Sequence, residues 1–583
     1  MKRVVVAELP LFLFATFAWG IEAVRNYEGL LRLDADVTVW EYIGRISMTT
    51  PLAFLLCLFS FYTKRLGRFL SFAFVLCTTL LVVCVRELAS MEICAAALQL
   101  ILETNPTEAS SFFYIYIVSW RTVFFLCVFI CLTAGIVWTI HFWKRNRHRW
   151  EHKLNIPLSI ICGITLLGTG LFATYTMLLL HAAGSNNAAR WAIVRSVPSP
   201  HDPITKTALA IYSLKQEHNN VRRCIQTSAQ YSNNELSGTE SDSLNIILVI
   251  GESYIRSHCA LYGYPLPTTS RMQKEIEARR LFVFNDAVTP ATMTFQALRE
   301  MLFIKPDNRP WYEGVFLPVI FKSAGFNVTF LDNQVRMETG ATRKGQGYTL
   351  LNPMFQPEML DLAYDTLIAP GYNYDEEMLT SLYKLPNTNK LNFIIVHFKG
   401  QHFDAAKSFP HNSNTIQFTP SDYDFRHEKW LTDAMKQHIS DYDNATLYND
   451  SLLGTLFLHY QNKPSAIVYL SDHGEEVYDY RPQWGRLQRI EDTEQAALYY
   501  QIPMIVWLSE PYQKKYPTTT QNLIYACNKP FISTYISQVL FALAQISSSY
   551  YYPERDPLSQ DYNAPKRILL DGNDFDQLVT QLP

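Results

Sequence analysis

Cysteine is scarce in this chain, ten among 583 residues. That density excludes a small scaffold stapled by disulfides. Charge is scarce as well. Charged residues make up 18% of the sequence, and 50 Lys and Arg against 53 Asp and Glu leave a net charge of -3. Nothing in that balance argues for a nucleic-acid partner. There is no internal repeat and no low-complexity tract. Apolar and aromatic residues are plentiful instead: 48% hydrophobic, with 35 Phe, 34 Tyr and 11 Trp. Such a chain buries enough surface to fold, so intrinsic disorder is excluded. Its length exceeds one ordinary domain of roughly 100–200 residues, and the low charged fraction leans toward a membrane component.

The apolar residues are unevenly placed. Up to about residue 182 they form long runs, and a membrane-crossing helix needs roughly 20 mainly apolar residues. Five runs qualify as expectations: 4–24, 46–63, 69–86, 119–142 and 156–181. Glu8 and Pro10 interrupt the first, which with four runs to follow argues against a cleaved signal peptide. Basic residues precede span one (Lys2, Arg3), separate spans two and three (Lys64, Arg65, Arg68), and separate spans four and five (Lys144, Arg145, Arg147, Arg149). With five spans these segments share one side, the cytoplasm by the positive-inside rule. The loop 25–45, the acidic loop 87–118 and everything after 182 then face outward, toward the periplasm in a bacterium. Cys57, Cys77, Cys84, Cys94, Cys127, Cys131 and Cys162 fall in or beside the runs as packing groups. An oxidising compartment would permit one bridge among Cys224, Cys259 and Cys527, and the sequence does not choose the pair.

Residues 183–243 read as a connector. Gly184-Ser185-Asn186-Asn187 ends the last run and Pro198-Ser199-Pro200 is loop. Trp191 and Ile193, then Leu209, Ile211 and Leu214 over 205–217, mark short amphipathic helices, either on a membrane surface or packed on the following domain. From 244 to 583 the chain alternates short apolar runs with helical stretches. Ile246–Ile250, Val328–Leu331, Phe393–Val396, Ala466–Leu470 and Met504–Trp507 read as strands buried on both faces. The expectation is an α/β domain with a mainly parallel central sheet, whose site lies beyond the carboxyl ends of the strands.

Polar residues follow four of those strands: Glu252 and Ser253; Asp332, Asn333 and Gln334; His397, Lys399 and His402; Asp472, His473, Glu475 and Glu476. Glu252, Asp472 and His473 offer the oxygen and nitrogen donors of a zinc site with one position open. An alcohol beside such an ion loses its proton more easily. Candidates lie in Thr289-Pro290-Ala291-Thr292-Met293-Thr294, ahead of a helix over 295–302. Thr294, nearest the helix start, is either a nucleophile among free N–H groups or an N-cap. Lys399 reads as a solvated charge or a substrate contact, and Glu475 as an outer partner of His473 or a helix-start acid. His258 beside Cys259 has metal-pair spacing but fits the turn after the first strand. His397 faces away from His402 if the strand continues, which makes it a buried, satisfied histidine.

The ordered motifs resemble those of the bacterial phosphoethanolamine transferases, the enzymes that modify lipid A and confer colistin resistance. They are Asn245–Ser253 with Arg256-Ser257-His258 and Leu261-Tyr262-Gly263-Tyr264, then Thr268-Thr269-Ser270, Tyr442-Asp443-Asn444-Ala445 and Ser471-Asp472-His473-Gly474-Glu475. The five-run anchor matches too. The resemblance implies an N-terminal multi-helix membrane domain (1–182, five helices), the connector 183–243, and an alkaline-phosphatase or sulfatase-like catalytic domain at 244–583 in the periplasm, the whole in the inner membrane. It implies zinc held by Glu252, Thr294, Asp472 and His473, with Thr294 as nucleophile. His402, Asn333, Gln334 and Lys399 would contact substrate, and Glu475 would support the ligands. Phosphatidylethanolamine would be donor, lipid A or core oligosaccharide acceptor, and a phosphothreonine the intermediate. The family's further histidine after Asp-His-Gly-Glu is missing from Val477–Gly485, which leaves a second metal open. Two alternatives share the architecture: a phosphoglycerol transferase of the lipoteichoic-acid type and a sulfatase-like hydrolase. The latter's Cys/Ser-x-Pro-x-Arg frame is lacking.

Overall fold

Each of the five short apolar runs from Ile246–Ile250 to Met504–Trp507 is a strand, because β-branched and aromatic side chains fill both faces of a covered sheet. A computed structural model describes residues 7–19, 50–83 and 202–234, isolated positions before and between these (residue 4 and several from 123 to 182), and 238–581 apart from 240, 307–308, 335, 338–344, 347–351, 386–389, 403, 487–489 and 491. The chain forms two compact units, Met1–Glu217 and His218–Pro583.

In the second unit the main sheet has seven strands: β1 (Leu244–Gly251), β2 (Leu281–Val283), β3 (Asn327–Asp332), β4 (Thr366–Ile368), β5 (Leu391–His397), β6 (Ser465–Ser471) and β7 (Met504–Leu508). Their order is β4-β3-β5-β1-β6-β7-β2. The first five in that order run parallel. β7 is antiparallel to β6, and β2 to β7. The sheet is therefore mainly parallel, with an antiparallel edge that the run Met504–Trp507 did not announce. β2 and β4 are three residues each and only partly buried, too short to show a hydrophobic period.

Register explains the site. His397 pairs with Ile250 and with Asp332, and Ser471 pairs with Gly251. The carboxyl ends of β3, β5, β1 and β6 are thus level, and the residues after them emerge on one rim. Alternate side chains feed two cores. Leu248, Ile395 and Val468 enter one, Val249, Val396 and Tyr469 the other, all buried. Phe321 stacks on Phe393 of β5 with ring centroids 3.7 Å apart on the first face. A long helix, Asp433–Tyr460, covers the second face with Tyr442, Leu453 and Phe457 buried. Burying one such large apolar side chain contributes roughly 1.5–3 kcal/mol. A charge at Val468, in the centre of β6, would break this packing.

In the first unit, helix α1 (Thr50–Val83) is broken by non-helical backbone at Lys64, inside the basic group Lys64, Arg65 and Arg68. The expected spans 46–63 and 69–86 fall on its two halves. Arg68 Nε donates to Glu8 Oε2 at 2.8 Å, and Ser60 Oγ does so at 2.8 Å. Trp19 Nε1 donates to Thr78 Oγ1 at 3.1 Å. Among the described residues no helix is long and apolar enough to cross a membrane. The expected spans 119–142 and 156–181, the loops 25–45 and 87–118, and residues 183–201 lie wholly or largely outside the described residues. Helix α2 (Asp202–Asn234) is longer than the segment 205–217 expected for it. Pro203 sits in its first turn and no glycine or proline follows before Gly238 to stop it. Cys224, Cys259 and Cys527 are all free thiols, so no bridge joins any two of them. Burial pushes all three above the ordinary thiol range, Cys259 to about 11 and Cys527 to about 12.

Candidate active site

The rim gathers side chains from distant parts of the sequence. Glu252 follows β1 directly, and it is fully buried. The next residue, Ser253, has φ 55, a left-handed conformation that costs a non-glycine residue on the order of 1 kcal/mol. That turn is held by the long helix Asp433–Tyr460: Tyr442 Oη donates to Ser253 O at 2.6 Å and accepts from Ile255 N at 2.8 Å. Ser253 Oγ donates to Glu252 Oε1 at 2.7 Å. Asp472, after β6, accepts at Oδ1 from Ser253 N at 3.0 Å and His473 N at 2.7 Å. Its Oδ2 is buried without a hydrogen bond.

Helix α3 (Thr294–Leu302) begins at Thr294, and Met293 is its N-cap residue with no side-chain cap. Thr294 is therefore the first helical residue and does not cap. Its hydroxyl donates to Glu252 Oε2 at 3.0 Å and lies 3.3 Å from His473 Nε2. Thr289, one of the two other candidates, donates to Ala291 O at 3.3 Å.

His473 Nδ1 lies 3.0 Å from Gly474 O, which assigns the ring proton to Nδ1 and a lone pair to Nε2. Around Nε2 stand Asp472 Oδ2 at 3.0 Å and Glu252 Oε1 at 3.5 Å. Burial, then Arg486, hold His473 down at about 3, so the ring is neutral. Burial would raise Glu252, but the positive charge around it, Arg486 included, and the Ser253 hydrogen bond outweigh it and keep that carboxyl below its usual range. Burial and the charge of Glu252 push Asp472 well up. One imidazole lone pair and two carboxyl groups thus converge with a hydroxyl on one point. Glu252, Asp472 and His473 form a group able to hold a metal ion, all three buried. Crowded acceptors with an orphaned oxygen fit a divalent cation, and this mix of nitrogen and oxygen donors fits zinc.

Gln334 joins the group. Its Nε2 donates to Glu252 Oε2 at 2.8 Å and Phe398 O at 3.0 Å, and lies 3.0 Å from His397 Nε2. His397 is not idle: its Nδ1 is 2.7 Å from Asp332 Oδ2. Asn333 turns from the cluster, donating to Asp375 Oδ1 at 2.8 Å. The same carboxylate accepts from Lys399 N at 3.0 Å and Gly400 N at 3.1 Å. Asn333 thereby braces the turn that carries His402. Gly400 has φ 52, and a Cβ there would meet Glu252 N at 2.9 Å, so only glycine lets this turn press against the ligand strand. Lys399 Nζ donates to Lys407 O at 3.2 Å. His402 is partly buried and close enough for its charge to reach Glu252, His473 and Glu475. Glu475 is buried, with Oε2 3.3 Å from Arg486 Nη1 and Oε1 unpartnered.

Arg486 was not anticipated. Its Nη1 contacts both ring nitrogens of His473, Nε2 at 2.8 Å, and donates to Ser253 Oγ at 3.2 Å. It follows Gly485, next to the stretch in which the family histidine is missing. No local pattern marks it, because only the fold of the loop after β6 returns residue 486 to residue 473.

Residues 244–539, half of the chain, match the sulfatase family model. The chain is 26% identical over 554 residues to the phosphoethanolamine transferase EptC of Escherichia coli (strain K12), covering 89% of this chain and 87% of that one. It aligns with the integral membrane lipooligosaccharide phosphoethanolamine transferase A (EptA) of Neisseria meningitidis at a TM-score of 0.54 and 16% identity, over 95% of this chain and 97% of that one. The crystal structure of the C-terminal periplasmic domain of E. coli EptC in complex with Zn aligns at a TM-score of 0.48 and 26% identity, over 59% of this chain and 96% of that one. The chain belongs to the sulfatase family, and within that family it is similar to phosphoethanolamine transferases.

Proposed function

We propose that this protein transfers phosphoethanolamine from phosphatidylethanolamine to a surface glycolipid, lipid A or its core sugars, through Thr294. The observation that carries the reading is the contact of the Thr294 hydroxyl with Glu252 and His473 at the first turn of a helix. The similarity to phosphoethanolamine transferases supports the class of reaction. Glu252, Asp472 and His473, with the Thr294 oxygen, would hold zinc. When bound, that ion polarises phosphoryl oxygens and makes a neighbouring alcohol more acidic.

The chain's own groups account for the rest. Glu252 Oε2 accepts the Thr294 hydroxyl hydrogen and so points the oxygen lone pairs away from itself. Free N–H groups of the first turn of α3 face an incoming phosphate. Arg486 adds a guanidinium to a cluster otherwise rich in carboxylates, which lessens repulsion of a phosphodiester. In the first step a bond forms between Thr294 Oγ1 and phosphorus, and the bond to the glycerol oxygen breaks. Diacylglycerol leaves with a proton, whose supply we assign to His402. In the second step a phosphate or hydroxyl oxygen of the acceptor bonds to phosphorus, the bond from phosphorus to Thr294 Oγ1 breaks, and Thr294 recovers the proton it gave up to Glu252 in the first step. Splitting the transfer this way is the logic of covalent catalysis.

Residues 1–182 are proposed as a membrane anchor in a bacterial inner membrane, with the catalytic domain in the periplasm. The basic segments between the apolar runs support that orientation. Tethering keeps the site near lipid headgroups and raises their effective concentration. The test is mass spectrometry of surface glycolipid from cells carrying the intact protein or Thr294→Ala. A phosphoethanolamine adduct present with the first and lost with the second is expected. An adduct that persists at full level in the Thr294→Ala cells would sink the reading.

A further inference from the structure

A buried ionic cluster lies behind the site, and the transfer chemistry does not use it. His258, in the turn after β1, is 2% exposed. Its Nδ1 lies 2.6 Å from Asp443 Oδ1 and its Nε2 3.0 Å from Asp479 Oδ1. Asp443 sits beside Tyr442 on the helix Asp433–Tyr460, and Asp479 sits between His473 and Arg486. One imidazole therefore ties together three segments more than 180 residues apart in sequence at their widest.

The cluster is otherwise complete. Tyr264 and Tyr423 each donate a hydroxyl to Asp443 Oδ2 at 2.6 Å. Tyr264 stacks on the imidazole at 4.6 Å between centroids, and Tyr442 meets it edge-on at 5.2 Å. Asp479 Oδ2 accepts from Val477 N at 3.1 Å, and Arg426 Nη2 donates to the carbonyls of Tyr478 and Asp479 at 2.7 and 2.8 Å. Two carboxylates facing two ring nitrogens require two N–H donors, which only the imidazolium provides. A charge so buried is retained where both partners are fixed, and removing one partner leaves the other buried and unpaired.

We propose that His258 is a positioning residue: through Asp479 it pins the segment 474–486 to the helix Asp433–Tyr460 and so keeps Arg486, with Glu475, beside His473. Glu252, Asp472 and His473 sit on strand ends and do not depend on the clasp. The segment between His473 and Arg486 has no strand of its own. Asp479, Arg426, Arg481 and a bridge from Val477 to Trp484 hold it in shape, together with hydrogen bonds from Gly474 N to Tyr499 O, Tyr478 N to Gln483 O and Gly485 N to Glu476 O.

The test uses the full chain in detergent with His258→Gln, Asp479→Ala and Asp479→Asn. Trypsin cleavage after Arg486 reads the segment directly, and zinc titration without lipid reads the ligands. Cleavage about tenfold faster in His258→Gln and Asp479→Ala is expected, the loss of one charged hydrogen bond. Zinc affinity should stay within about threefold. Asp479→Asn should behave nearly as the unmodified protein, because its amide N–H can donate to the lone pair of a neutral His258.

The kinetic arm rests on the transfer reading above: KM for phosphatidylethanolamine should rise about tenfold in Asp479→Ala with kcat little changed. Unaltered cleavage in Asp479→Ala overturns the clasp, as does an Asp479→Asn protein as impaired as Asp479→Ala. Faster cleavage in a protein that transfers nothing upholds the clasp and removes the transfer reading instead.

Discussion

Thr294 Oγ1 donates to Glu252 Oε2 at 3.0 Å although the two residues belong to different strand-to-helix connections. The contact exists because β1 ends level with β6 and α3 starts above that end. A hydroxyl so held is aimed at the face where Asp472 and His473 converge.

Replacing Thr294 by Ala should lower transfer by at least about a thousandfold, the scale of losing a nucleophile. Zinc binding should persist through Glu252, Asp472 and His473. Thr289→Ala, which removes a bond to Ala291 O, should leave transfer chemistry intact in the folded fraction. A labelled phosphatidylethanolamine assay checks both, and the peptide carrying Thr294 should show the phosphoethanolamine adduct in the mass spectrometer. An adduct on another peptide is the contrary result.

Zinc should stabilise the catalytic unit measurably. Three buried acceptors repel one another until a cation joins them, so ligand linkage predicts about 2.7 kcal/mol of added stability at a hundredfold excess over Kd. Thermal unfolding with zinc and after chelation reads this directly. Asp472→Asn should abolish most of the difference, and an undiminished zinc shift in that variant would count against the assigned ligands.

Arg486→Ala should weaken transfer by about 10–100-fold, the range for one charge-assisted contact. Arg486→Lys should recover only part, since an ammonium lacks the planar fork. Equilibrium dialysis should still find zinc on both variants. Loss of zinc would place Arg486 in support of His473 rather than of the phosphate.

The His258 cluster carries a pH signature. Burial lowers the imidazole, but Asp443 and Asp479 outweigh it and raise it from 6.5 to about 10. A raised folded value means that the contribution is fully present below about pH 6.5 and is lost as pH climbs through about 10. Unfolding temperature followed from pH 7 to 10.5 should therefore fall more steeply in the unmodified chain than in His258→Gln. Parallel curves would show that the imidazolium adds nothing.

Much was readable from the residues. The five runs from Ile246 to Trp507 emerge as strands because continuous apolar character leaves a chain no other low-energy place than a doubly covered sheet. Glu252, Asp472 and His473 were legible because each directly follows such a run. Asn333 and Gln334, expected as a pair, part company: successive residues point to opposite sides, so Gln334 meets Glu252 while Asn333 meets Asp375. β2 and β4 are too short to leave a pattern, and the antiparallel edge follows from chain routing.

Sequence alone determined which residue types reach the rim, since hydrophobic patterning fixes where strands stop and polar residues begin. Only the tertiary structure decided which of three threonines touches Glu252, that His258 is doubly bridged, and that Arg486 faces His473. Those relations depend on loops whose ends are brought together by sheet register, and a contact across hundreds of residues leaves no periodic trace in either partner.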